Sequence, residues 1–81
     1  MKHTINSKKH IDTHQSLISV ELIPETEIEK QAILHVQATI ASDEERELVE
    51  NYLNFSLGLS NYSVVDLIDQ KGNTFFLKIF I

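Results

Sequence analysis

Apolar and polar positions alternate over residues 16–23, SLISVELI. Ile18, Val20 and Leu22 fall on one face, and Leu17, Ser19, Glu21 and Ile23 on the other, which is the period of a strand. Pro24 removes a backbone donor and ends it. The acidic stretch PETEIE, 24–29, reads as a turn. Residues 30–40, KQAILHVQATI, alternate again, with Ala32, Leu34, Val36, Ala38 and Ile40 opposite Ile33, His35, Gln37 and Thr39. That pattern predicts a second strand with one face in the core, paired antiparallel to the first through a short connection.

The period then changes. Ser42-Asp43-Glu44-Glu45 fits a capping box, with Ser42 as N-cap and Glu45 at the third helical position. Leu48, Val49, Tyr52, Leu53 and Phe55 share one arc at 100° per residue, and Asp43, Glu47, Glu50, Asn51 and Asn54 lie opposite. The spacing predicts a helix over 43–57, closed by Gly58 at C′ with Leu59 folding back. Residues 62–69, YSVVDLID, and 74–81, TFFLKIFI, read as two further strands joined by a Gly72-containing turn. The expected fold is α+β and two-layered: a mainly antiparallel sheet in the order β-β-α-β-β under one covering helix. Its expected core is Leu34, Val36, Leu48, Tyr52, Leu53, Leu77 and Ile79. Residues 1–15 show neither period and read as a polar, disordered tail, leaving 16–81 as a single α+β domain.

The last strand carries the feature that points outward. Phe75, Leu77, Ile79 and Ile81 make one apolar face, but the other holds Phe76, Lys78 and Phe80. A strand with one solvated face should not place two phenylalanines there. With Ile33 assigned to the same side of the sheet, Phe76, Phe80, Ile33 and Lys78 become interface candidates. The face is expected to be covered by a second copy, a protein partner or the N-terminal tail. The last strand also closes the given sequence, so it is expected to form an edge that needs pairing.

Composition narrows the function classes. The 81 residues carry a net charge of −5 and no cysteine. Disulfides, thiolate metal sites and cysteine nucleophiles are therefore excluded. Lys2, Lys8 and Lys9 against Asp12 leave the first fifteen residues at +2, and the remainder at −7. Such a domain repels a phosphate backbone, so direct nucleic-acid binding is not expected. There is no apolar run of membrane-spanning length and no secretory signal, which reads as cytoplasmic.

Candidate chemistry is sparse. His10 and His14 have the i, i+4 spacing of a helical metal pair, but nothing else marks that segment as helical. His35 lies on the mixed face of the predicted second strand. Asp66 and Asp69 fall on opposite faces of a regular third strand, so they make no acid/base pair. Two glycines, both explained by turns, leave no phosphate-cradling loop. No catalytic residue, metal or cofactor is assigned. The leading reading is a non-catalytic protein-interaction module that self-associates as a dimer through the outer sheet face or the last strand. A second is an acidic inhibitor or DNA mimic that blocks a nucleic-acid-binding enzyme with Glu44, Glu47 and Glu50. A third is small-molecule binding or catalysis at a subunit interface, near His35 or Tyr62.

Overall fold

The computed structural model describes residues 1–62 and 64–81. In chain order the described residues form β1 (Lys2–His10), β2 (Ser16–Ile23), α1 (Glu27–Leu34), α2 (Asp43–Asn51), a π-helical turn (Tyr52–Ser56), β3 (Val64–Lys71) and β4 (Thr74–Phe80). The strands make one antiparallel sheet in the order β1-β2-β4-β3. The two-layer α+β architecture is as expected, but the element order is β-β-α-α-β-β, with two helices rather than one.

Two elements differ from the sequence pattern. The segment expected as a tail supplies β1, paired along the whole of β2 and joined to it by a turn in which Asp12 Oδ1 accepts the His14 and Gln15 amides, both at 2.8 Å. Every β1 residue is exposed. Its strand conformation comes from pairing with β2 and not from an apolar face, so periodicity alone does not reveal it. The alternation over 30–40 predicts a strand, whereas the structure has α1 followed by turns. Thr26 and Glu29 form a complete capping box at its start. Adjacent Ala32 and Ile33 are both buried, which a helix surface allows and one face of a strand does not.

α2 begins as expected, with Ser42 Oγ accepting the Glu45 amide at 3.2 Å. After Asn51 the helix widens: the Leu57 amide reaches the Tyr52 carbonyl, an i→i+5 bond of 3.3 Å. Each residue of such a turn advances by less than 100°, so later positions lag behind the expected arc. Leu53 is still fully buried, but Phe55, expected on the same apolar arc, is 85% exposed. Gly58 takes the left-handed conformation (φ +71°) and the Leu59 amide bonds back to the Leu53 carbonyl at 3.0 Å, leaving Leu59 buried.

The core lies between the helices and one face of the central strands. Ile18, Val20 and Leu22 from β2 and Phe75, Leu77 and Ile79 from β4 pack against Ala32, Ile33, Val49, Leu53 and Leu59. Val36, Leu48 and Tyr52 are only partly buried against it. Leu34, an expected core residue, is 37% exposed. Its neighbour Ile33, expected on the outer face, is fully buried. Both corrections follow from reading 30–34 as helix. The expected third strand, 62–69, is found as β3, and residue 63 of that range lies outside the described residues.

β4 is a central strand, hydrogen-bonded to β2 on one side and β3 on the other. The expectation that it forms an edge is therefore corrected, and strand addition along β4 is ruled out. The two edges are β1 and β3, and both carry a bulge and charged side chains, features that discourage edge-to-edge pairing.

Candidate functional site on the outer sheet face

Strand register fixes which side chains meet on the face turned away from the helices. Directly opposed residues of antiparallel strands share a face, so four ranks can be read across it. Lys9, Leu17 and Phe80 make the first rank, and Ser7, Ser19, Lys78 and Asp66 the second. Thr4, Glu21, Phe76 and Asp69 make the third. Lys2 and Ile23 open the fourth, which Thr74 and Lys71 complete on the other two strands. Leu17, Ile23, Phe76 and Phe80 are half-buried and belong to no part of the core. Of the interface candidates, Phe76, Lys78 and Phe80 lie on this face. Ile33 does not, being sealed in the core on the other side.

The bulges decide where the charges go. A regular strand would put Asp66 and Asp69 on opposite faces. The extra residue at Ile68 resets the alternation, and both aspartates take outer-face positions, opposite Lys78 and Phe76. The register shift between Ile5 and Ser7 does the same in β1, bringing Lys2 and Lys9 to one face. The outer face thus has Lys2 and Lys9 along β1, Asp66, Asp69 and Lys71 along β3, and between them Leu17, Ile23, Phe76 and Phe80 interleaved with Ser19, Glu21 and Lys78. Lys71 is turned inward, its ammonium 5.7 Å from the Phe76 ring centroid. Gln37, from the segment after α1, donates to an Asp66 carboxylate oxygen.

The remaining candidates are in structural roles. His35 caps α1, and its Nδ1 lies 2.6 Å from Glu45 Oε2, a bond that ties the two helices and holds the Glu45 carboxyl below its ordinary range. His10 ends β1, 3.2 Å from the Ser16 hydroxyl, and His14 sits in the β1–β2 turn, so the pair shares no helix. Among the described residues no cluster of three or more His, Asp or Glu side chains could hold a metal. Nor, among them, is any helix long and apolar enough to cross a membrane. Glu44, Glu47 and Glu50 are exposed on α2 and form no ion pair among the described residues. A nine-residue helix is about 13.5 Å long, too short to repeat a phosphate array over more than a few base pairs.

A cavity of about 220 Å³ lies between α2 and the sheet, lined by Val36, Arg46, Val49, Glu50, Tyr62 and Val65. Burial first, and then Glu50, push the Tyr62 hydroxyl above its ordinary range. Arg46 is turned to the Thr39 carbonyl at 3.3 Å, so the polar groups do not converge on one ligand position.

A second polar cluster joins β1 to the helical layer. The Met1 amino group lies 2.9 Å from Glu25 and 3.0 Å from Glu29. The Tyr52 hydroxyl donates to the Met1 carbonyl at 3.2 Å and lies 2.7 Å from His3 Nδ1. Burial pushes the Glu29 carboxyl up, but the amides of Glu25 and Thr26 and the Met1 ammonium outweigh it, and the net shift is downward. These contacts position β1 against the helical layer.

Comparison of the chain with protein-family models, curated proteins and solved structures gives no significant match.

Proposed function

We propose that the domain is a non-catalytic protein-interaction module that self-associates as a homodimer through the outer face of its sheet. The observation that carries this reading is the set Leu17, Ile23, Phe76 and Phe80, placed by register on a face that no element among the described residues covers. β1 extends this face at its side and does not shield it. Large apolar side chains gathered on one outward sheet face, here Leu17 beside Phe80 and Phe76 diagonal to Ile23, commonly mark an association site. Phe55 and Ile40 are more exposed, at 85% and 79%, but they sit in separate segments, and single exposed apolar side chains are ordinary.

The size of the face sets the strength. Four strands about 4.8 Å apart and about seven residues long cover roughly 450 Å² in outline. Two such faces fall at the low end of what specific complexes bury. The dimer is therefore concentration-dependent. Its apolar contacts make it tolerant of salt, since screening acts on the charged side chains.

Light scattering coupled to size exclusion, on the full chain at low and high salt, tests the reading. The expected mass is close to twice the 9.3 kDa of the chain at both salts, at concentrations well above the dissociation constant. A monomer mass throughout contradicts it.

A further inference from the structure

The charges on the outer face specify how two copies meet. We infer that the dimer's two-fold axis runs parallel to the strands, so that β1 of one copy lies over β3 of the other. This inference rests on the self-association proposed above and adds the orientation of the partner copy.

A two-fold axis relating two stacked faces lies in the plane between them. Aligned sheet packing then leaves two limiting arrangements. With the axis across the strands, β1 covers β1 and position along the strand is reversed. Lys9 then opposes the partner's Lys2, and Asp66 opposes the partner's Asp69. Like charges face each other at both rims, which costs free energy in a partly desolvated contact. With the axis along the strands, strand order is reversed and position is kept. β1 covers the partner's β3, and β2 covers the partner's β4.

The second arrangement removes both of those contacts and leaves one like-charge contact of its own, Lys2 over the partner's Lys71. Leu17 stacks on the partner's Phe80 at the first rank, and Phe80 on the partner's Leu17. Lys9 comes one rank from the partner's Asp66, and Lys2 one rank from the partner's Asp69. Lys78 lies over the partner's Ser19, within one rank of the partner's Glu21. These placements follow from the observed pairings Leu17↔Phe80, Ser19↔Lys78 and Glu21↔Phe76 and from the two bulges that gather Lys2 with Lys9 and Asp66 with Asp69. Without either bulge one charge of each pair would point to the helical side. The second orientation thus keeps one kind of like-charge contact where the first has two, and it brings Lys9 and Lys78 near opposite charges; a difference of this kind is how an interface selects its register.

The chain has no cysteine, so introduced thiols report only on themselves. Lys9→Cys and Asp66→Cys proteins, prepared separately and mixed, are treated with a short bis-maleimide. A 9–66 crosslinked species at twice the monomer mass is expected, with Lys9→Cys alone and Asp66→Cys alone remaining uncrosslinked. Crosslinking of Lys9→Cys with Lys2→Cys, or of Asp66→Cys with Asp69→Cys, overturns the orientation while leaving outer-face association intact. A dimer mass with none of these crosslinks overturns it by moving the interface off this face. A monomer mass for the unmodified chain removes the self-association itself, and the orientation with it.

Discussion

Phe75 and Phe76 are neighbours in sequence and opposites in role. Phe75 is fully buried beneath the helices, while Phe76 lies half-buried on the far side of the same sheet. The same contrast runs along β4, with Leu77 and Ile79 in the core and Lys78 and Phe80 outside it. Under the proposed self-association the two faces separate two functions of apolar surface. One face holds the chain together. The other is available to hold two chains together.

The largest effect that tests this contrast comes from the covered face. Phe75→Ala should cost about 3–5 kcal/mol, through lost transfer energy and the cavity left behind. Phe76→Ala, measured at a concentration where the monomer dominates, should cost far less. Urea melts of the two variants check this directly, and equal losses would collapse the distinction between the faces.

Next is the cap of the helix that covers the core. Thr26→Ala removes the side-chain acceptor of the α1 capping box and should cost about 1 kcal/mol, with no change in association. The same substitution in a turn between two strands would cost little. This experiment therefore also tests the identity of residues 27–34.

The pH profile probes the join between β1 and the helical layer. Glu29 is held below its ordinary 4.5, so its contribution to stability is present above that value and fades as the pH falls through the folded value. The Met1 amino group is held above its ordinary 8.0, first by the hydrogen bond to Glu25 and then by Glu29. Its contribution is complete below that value and fades as the pH rises through the raised one. Denaturation midpoints of the 81-residue chain should therefore fall off on both the acidic and the alkaline side. Glu29→Gln should flatten the acidic limb and weaken the alkaline one.

The smallest effect belongs to the rim of the outer face. Lys9→Glu should weaken dimerisation by about 0.2–1 kcal/mol through loss of its exposed pairing with the partner's Asp66. The loss should shrink in high salt. Titration calorimetry of dimer dissociation at two salt concentrations checks it, and a salt-independent loss would argue against charge pairing at that rim.

The faces were not equally legible in sequence. β2, β3 and β4 carry their alternation openly, and α2 carries both its cap, Ser42, and its stop, Gly58. Phe76 and Phe80 could be placed outside the core because the face opposite them was so consistently apolar. α1 was hidden because Ala32, Leu34, Val36, Ala38 and Ile40 also satisfy a strand's period. Thr26-x-x-Glu29 was the signal that distinguishes the two, and it lies in a stretch whose proline and acids read as a turn. β1 has no signal of its own beyond the turn-forming Asp12, because an exposed edge strand needs no apolar face. The bulges at residues 5–7 and 67–69 are set by pairing with β2 and β4. The gathering of like charges at each edge was therefore invisible until the register was known.

The most direct test of the central claim is sedimentation equilibrium of Phe80→Asp beside the unmodified chain, with far-ultraviolet circular dichroism on the same samples. The account predicts a dimer for the unmodified chain and a monomer with an unchanged spectrum for the variant. A Phe80→Asp protein that keeps the dimer mass would show that the outer face of the sheet is not where the copies meet.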